Sequence, residues 1–495
     1  MVESILYNFW IILWRSHLIS KKKFERKTAK FTPEYKLVEN SEYFDREWYL
    51  KQNPILIRKH KDPVTHYLLT GWKGCLNPSA KFDTSVYIFH HPELWEYGVN
   101  PLVHYEKYEK YNNYQVCPYS TLPKDGKLST GGISIVANLL NIYGLGQTSR
   151  DIITLIKDTG ISYDVRTTYL PGRQTISAAE FEKIKTTRYL HYKTRLLMDT
   201  GAGLCDSEYS DIKTVWWEFT SGLLEFSPHM FEGTKGIIAF SDFCYNYFKT
   251  LIPDTIKLYK VNYPFNKNWK INKSSKETRQ DYHIKSSDFV CLYNFDYRSS
   301  FIRKNPDGAI RAFAQALGQQ KNAYLIIKTV GYDTFPELAE KLKILAEQLG
   351  IQEKIIFVND YMSRDDVMAL INACDVYLSL HRGEGLGLGM LEAMSMGKAV
   401  IGTNYGGNTE FMNSNNSCLV NYQMVSAKEY DVPPYKYVKE YAEPNISQAA
   451  AYLKELYENP EKRKEIGQKA QSFIETYYNP QTFKQQILEI IKESV

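Results

Sequence analysis

From about residue 130 onward, short apolar runs alternate with amphipathic stretches. Gly132–Leu140, Lys213–Phe219, Gly236–Ser241, Ile256–Tyr263, Asp288–Phe295, Lys354–Asn359, Asp375–Leu380 and Lys398–Gly402 are each rich in β-branched and aromatic residues. Continuous rather than alternating apolar runs predict strands buried on both faces, the mark of parallel sheets. The stretches between them carry helix punctuation. Asn305 is a good N-cap, Pro306 a good first helical residue and Gly318 a stop, while Leu388 to Met396 closes at Gly397, where a left-handed C-cap belongs. Strand and helix in alternation predict an α/β fold.

Residues 40–110 follow a different pattern, an internal repeat. Phe44-Asp45 returns as Phe82-Asp83, Tyr49 as Tyr87, Pro54 as Pro92, Pro63 as Pro101 and His66-Tyr67 as His104-Tyr105, always 38 residues on. Each copy sets aromatics around two Pro-marked turns, which predicts short helices. A repeated His beside an aromatic is expected to be a packed, hydrogen-bonded core residue; a metal site is the less favoured reading. Pro118 to Ser129 reads as a linker, and so does Pro264 to Lys285. The expected divisions are an amphipathic and basic segment 1–35, the repeat module 36–117, and two α/β domains, 130–270 and 285–479, with an amphipathic helix 480–495 at the end.

The chemistry concentrates at Glu384-Gly385-Leu386-Gly387-Leu388-Gly389-Met390-Leu391-Glu392. This turn follows the strand Asp375–Leu380 and opens a helix, at the carboxyl end of a strand, where open α/β sheets bind ligands. Glycines let a backbone approach a ligand closely, and a helix N-terminus offers unpaired N–H groups to a pyrophosphate. The carboxylates repel phosphate and should accept hydrogen bonds from sugar hydroxyls, Glu392 from a ribose diol and Glu384 from a second sugar. Two sugars joined through a pyrophosphate make a nucleotide-sugar. The pattern Glu384-x7-Glu392 within EGLGLGMLEAMSMGKAVIGTNYGGNTEF resembles the signature of family 4 glycosyltransferases. The resemblance implies the GT-B fold, two Rossmann-like domains facing a cleft, and a retaining, metal-independent enzyme with no cofactor beyond its nucleotide-sugar co-substrate. In that setting 130–270 is the acceptor domain, 285–479 the donor domain, and helix 480–495 crosses back onto the former.

A second motif extends the resemblance. After the strand Asp288–Phe295, Arg298 and Lys304 are six residues apart and resemble the family's Arg-x5-Lys pair, which holds the donor pyrophosphate; Arg303 is a near duplicate. Without a metal, cations must stabilise a departing nucleoside diphosphate. The resemblance implies catalytic roles for Glu384, Arg298 and Lys304. It implies donor contacts from Glu392, Gly385, Leu386, Gly387, Leu388 and Arg303, and backbone contact with the nucleobase around Asn359 and Tyr361. Ser363 and Asp366 read as a capping box. Tyr405 to Glu410 occupies the place of the family's second glycine turn, and a simple connecting loop explains it equally well. Gly144 and Gly146, after the strand Gly132–Leu140, match the glycine loop of the family's first domain, with a helix expected near Arg150. Asp164 lies at a distance that would suit a dinucleotide fold, which keeps a dehydrogenase as a remote alternative. Trp217 and Glu218, at a strand's end, suit an acceptor's sugar face and hydroxyl; a core tryptophan and a surface glutamate account for them equally. His191 and His229 have no context that argues for a base.

Composition narrows the picture further. The 495 residues suggest about three domains. Seven cysteines without a CxxC pair or a Cys/His cluster argue against zinc or a disulfide framework and favour the cytoplasm. Residues 1–30 hold seven basic and two acidic side chains, an excess of five that equals the net charge of the whole chain. The remainder is neutral, which argues against a nucleic-acid surface. Ile5–Trp14 is apolar and too short to span a bilayer. An interfacial helix with Trp10 and Trp14 at headgroup level, peripheral on the inner face of the cell membrane, fits it, as does a helix packed on the protein itself. The expected activity is transfer of a hexosyl unit to a glycan or glycolipid in surface polysaccharide synthesis. A glycosyl phosphorylase and a non-catalytic glycan-binding or assembly protein are the alternatives. The repeat resembles a module joined to bacterial polysaccharide glycosyltransferases.

Overall fold

The eight apolar runs, with four further segments that the pattern did not single out, form two six-stranded sheets. The first contains β1 (Ser129–Asn138), β2 (Ser162–Thr168), β3 (Tyr192–Met198), β4 (Ser210–Thr214), β5 (Thr234–Ala239) and β6 (Lys257–Lys260), in the order β2-β1-β3-β4-β5-β6. The second contains β7 (Phe289–Asp296), β8 (Ala323–Val330), β9 (Ile355–Val358), β10 (Val376–Ser379), β11 (Ala399–Thr403) and β12 (Cys418–Val420), in the order β12-β11-β10-β7-β8-β9. Its five pairings are all parallel, and in the first sheet β1 is parallel to β2 and β3, β3 to β4 and β5 to β6. This is the pair of Rossmann-like sheets that the GT-B resemblance implied. The computed structural model describes residues 2–110, 127–168, 184, 190–198, 209–226, 230–427 and 435–494, apart from positions 17, 54, 55, 58, 59, 75, 80, 85, 86, 89, 90, 92, 142, 143, 232, 266, 268 and 272. Most of the expected linker 118–129, with His229, Cys75, Cys117 and Cys205, lies outside the described residues.

By its internal contacts the chain divides into two units: Met1–Lys213 with Glu232–Lys235 and Ile491–Val495, and Thr214–Phe231 with Gly236–Ile490. The first unit begins with α1 (Val2–Arg15), α2 (Lys21–Thr28), α3 (Pro33–Glu39) and α4 (Arg46–Gln52). The repeat is visible in geometry. Pro63–His66 and Pro101–His104 are single turns with proline first, capped by Asp62 and Asn100. The Tyr49 hydroxyl shares a hydrogen bond with His66 Nδ1, and the Tyr87 hydroxyl with His104 Nδ1, at 2.9 Å in both copies. Tyr49, Tyr67, Phe82, Tyr87 and Tyr105 join one aromatic core with Trp72. The copies diverge at their aspartates. Asp45 caps α4 through the Trp48 amide and is exposed, whereas Asp83 is buried and ion-paired with Arg166 of β2.

Three boundaries differ from expectation. The helix expected near Arg150 is α5 (Gly144–Lys157) and starts at Gly144 itself. Within it Gly146 sits against the Asn141 carbonyl, where an added Cβ would come to 2.1 Å. The run Lys213–Phe219 is strand only to Thr214; beyond it Trp217 and Phe219 turn into a core with Phe248 and Tyr435. The expected linker Pro264–Lys285 contains a helix (Ser275–Asp281), because Ser274 and Glu277 form a reciprocal capping box.

Candidate active site

The candidate residues around Lys304 and Glu384 belong to the second unit and cluster at the carboxyl ends of β7 and β10. After β7 the chain makes a single turn, Phe301–Lys304, between two residues of positive φ, Ser300 (73°) and Asn305 (53°). Such backbone is sparsely populated outside glycine and marks a position held by its surroundings. Asn305 explains the second case. Its Oδ1 accepts from the Gly308 amide, capping the helix Pro306–Leu317, and its Nδ2 donates to the Leu380 carbonyl at the end of β10. A side chain at Gly308 would strike Asn305, so that glycine is needed for the close approach. The result is a turn anchored to two strands, with Arg303 and Lys304 presented at its end.

Facing it is the glycine turn after β10. Lys304 Nζ lies 2.6 Å from Glu384 Oε2, and Arg303 Nη1 is 3.5 Å from the same oxygen. Arg303 also reaches Glu218 at 3.5 Å and donates to the Gly383 and Ser299 carbonyls. Burial pushes the Glu384 carboxyl up, but Lys304, Arg303 and His381 outweigh it and hold it down at about 2. Burial lowers Lys304 in turn, opposed by Glu384. Glu384 is therefore ionised at neutral pH, in a cluster of two cations and two carboxylates.

Gly387, at φ 94°, is the residue before the helix Leu388–Ser395, and no side chain caps that helix. Its first amides are the kind of donor set that accepts an anion. Gly385 and Leu386 precede it, with Leu386 buried. The turn is buttressed from behind by the second glycine turn. The Gly407 amide donates to the Glu384 carbonyl at 2.7 Å, and a Cβ on Gly407 would lie 1.9 Å from the Gly385 oxygen. Residues 405–410 thus do more than connect two elements: the two turns pack backbone to backbone. His381 lies buried beneath them, its Nε2 by the Tyr405 carbonyl (2.9 Å) and Asn408 Oδ1 (3.1 Å), and burial lowers its basicity.

Glu392, on the helix Leu388–Ser395, is 2 % exposed. Its partner is Arg364, the first residue of the helix Arg364–Ala373, at 2.6 Å, and the Arg364 guanidinium lies over the Trp269 ring. Burial raises the Glu392 carboxyl and Arg364 opposes it. Arg364 is not legible as a site residue from the sequence, although the adjacent Ser363–Asp366 cap is, because a charge at a helix start looks like surface.

Arg298 stands apart from Lys304's partner: its guanidinium reaches Thr334 at 3.2 Å, the Tyr361 hydroxyl at 3.4 Å and Asp333 at 3.7 Å. Asn359 accepts from Thr329 of β8 at 2.6 Å. Arg303, expected as a near duplicate of the Arg298 and Lys304 pair, is 3 % exposed and committed to protein oxygens. Trp217, read equally as a sugar-binding face or a core residue, is a core residue, 4 % exposed, with its indole N–H on the Ser221 carbonyl. The reason is the turn after β4, which points it between Phe226 and Tyr435. Gly144 and Gly146 belong to the first unit. Among the described residues no three His, Cys, Asp or Glu side chains are grouped to hold a metal ion, and no helix is long and apolar enough to cross a membrane.

Residues 276–430 match the family of glycosyl transferases group 1. A stretch of 104 residues is 34% identical to the serotype-specific mannosyltransferase WbdA of Escherichia coli; it is 21% of this chain and spans only 12% of that relative's length. The fold is similar to that of Anabaena Alr3699/HepE, solved in complex with UDP and glucose, with a TM-score of 0.54 and 16% identity over 73% of this chain and 99% of that one. It is also similar to that of WaaG, a glycosyltransferase involved in lipopolysaccharide biosynthesis, with a TM-score of 0.50 and 15% identity over 72% of this chain and 99% of that one. The fold is GT-B.

Proposed function

We propose that this chain is a retaining, metal-independent hexosyltransferase of family 4 type, which moves a hexosyl unit from a nucleoside diphosphate sugar to a glycan or glycolipid in surface polysaccharide synthesis. The observation that carries this reading is the meeting of Lys304 and Glu384 beside the uncapped helix that begins after Gly387. A cation and open amides beside an ionised carboxylate suit the pyrophosphate and the transferred sugar of a nucleotide-sugar. The amides and Lys304 take the pyrophosphate, Glu384 a hydroxyl of the transferred sugar, and Glu392 the ribose. The group 1 match over 276–430, and the likeness to a mannosyltransferase and to a protein solved with UDP and glucose, support the same reading.

In this mechanism the acceptor attacks the anomeric carbon from the face the leaving group departs. The diphosphate oxygen takes the acceptor proton, and Lys304 with Arg298 stabilises the growing negative charge. Arg303 sets the position of Glu384 and Glu218, and Glu218 approaches the acceptor. Asn359 and Tyr361 border the nucleobase. The N-terminal residues 1–30 hold the enzyme on the inner face of the cell membrane, where a lipid-linked acceptor would be.

The test is thermal unfolding with UDP, GDP, ADP, CMP and their common sugars, without added metal. Stabilisation by one nucleotide family identifies the donor, because a ligand that binds only the native state raises its stability. Transfer from that donor should be unchanged by EDTA. No shift with any nucleotide would overturn the reading.

A further inference from the structure

Helix α1 is largely apolar, and none of its described side chains is buried. Leu6, Tyr7, Phe9, Ile12 and Trp14 are exposed, and Trp10, Ile11 and Leu13 are half-buried. Leu6, Phe9 and Ile12 recur every third residue, so they stand on one side of the helix as a ridge. They are 42, 51 and 62 % exposed, and Leu18, just past the helix, is 71 % exposed. The opposite side has a partner. Trp14 stacks on Phe24 of α2 at 4.8 Å between ring centres, and Tyr7 meets Phe24 and Phe31. Helix α2 therefore props α1 without covering the ridge.

The charge beside this ridge has one sign. Helix α2 carries Lys21, Lys22, Lys23, Arg26 and Lys27 against the single acid Glu25. Lys21, Lys23, Arg26 and Lys27 are exposed, and the Lys27 ammonium lies over the Trp10 ring. A helix of 14 residues is about 21 Å long, short of the ~30 Å of a bilayer core. An element too short to span, apolar along one side and flanked by lysines, is matched by the headgroup boundary of an anionic bilayer. Indole rings half in and half out of water suit the same boundary.

We propose that α1 and α2 together form a docking surface for anionic phospholipid, with Leu6, Phe9, Ile12 and Leu18 entering the acyl boundary and the α2 cations resting on the headgroups. This deepens the membrane contact included in the functional reading and is independent of the transfer chemistry. A second copy of the chain seated on the ridge would bring another basic α2 to the same interface, which the charge opposes.

The test is co-sedimentation of the full chain with phosphatidylcholine vesicles and with phosphatidylcholine mixed with phosphatidylglycerol. Binding is expected only to the mixed vesicles and should weaken with salt. The triple variant Leu6→Ser, Phe9→Ser, Ile12→Ser and the charge variant Lys21→Glu, Lys23→Glu, Lys27→Glu should each lose about tenfold or more in affinity. Both should keep the wild-type unfolding temperature and the nucleotide-induced shift, which separates this surface from the donor site. If the wild type binds and neither variant is weakened, the assigned surface is wrong while membrane contact stands. If the wild type binds no vesicle, both fail. A dimer in vesicle-free sedimentation that the triple variant abolishes would assign the ridge to self-association instead.

Discussion

Glu384 Oε2 lies 2.6 Å from Lys304 Nζ and 3.5 Å from Arg303 Nη1, so a single buried carboxylate oxygen answers two cations. Replacing it by an amide leaves both cations without that counter-ion. Glu384→Gln should therefore destabilise the fold by about 3–5 kcal/mol, the cost of breaking a buried pair from one side, as read by urea unfolding. The pH dependence has a definite sign. Because the folded carboxyl is held at about 2, below its ordinary 4.5, its contribution is present above pH 4.5 and lost as pH falls toward 2. The variant's stability should be flatter than the wild type's across that window.

Glu392 should behave in the opposite way. Burial raises its folded value above 4.5, so its favourable contribution is complete below that pH and lost as pH rises through the folded value. Burial of its charged form is a cost retained in the fold. Glu392→Gln should unfold at the same or a higher temperature than wild type at pH 7, since Arg364, 28 % exposed at its side chain, can return to water. The same variant should lose the nucleotide-induced thermal shift. A marked fall in unfolding temperature would show that the Arg364 pair is structural.

The paired glycine turns give a contrast between two simple substitutions. A methyl at Gly407 would fall 1.9 Å from the Gly385 carbonyl, whereas a methyl at Gly144 meets nothing within 4 Å. Gly407→Ala should push the two turns apart and abolish the nucleotide shift, with a lower unfolding temperature. Gly144→Ala, at the first residue of α5, should leave stability unchanged or raise it by up to about 1 kcal/mol.

The repeat offers a comparison of equivalent residues. Asp45 caps a helix in water, and Asp83, 38 positions on, neutralises buried Arg166. Asp45→Ala should cost about 1 kcal/mol, the loss of one N-cap. Asp83→Ala should cost about 3–5 kcal/mol, since it removes one partner of a buried ion pair. Equal losses in chemical denaturation would mean that the Arg166 pair contributes nothing beyond the cap.

The chain itself determined the features that are local or periodic. Continuous apolar runs dictated parallel strands, because only a sheet covered on both faces hides them. Asn305-Pro306 and Gly397 marked helix ends, because few residues satisfy those backbone positions, and the 38-residue spacing exposed the duplicated Tyr–His pair. Glu384-x7-Glu392 pointed to the turn because glycines and carboxylates have little other reason to be interleaved. Tertiary structure decided what depends on distance through space. It set which of three neighbouring cations is buried, put Trp217 in a core, gave Glu392 its partner Arg364, and laid the Gly406-Gly407 turn against Gly385. It also left the ridge of α1 uncovered. Sequence spacing carries no information on those points, because charge pairing and burial arise only when segments 80 residues apart, as Lys304 and Glu384 are, come together.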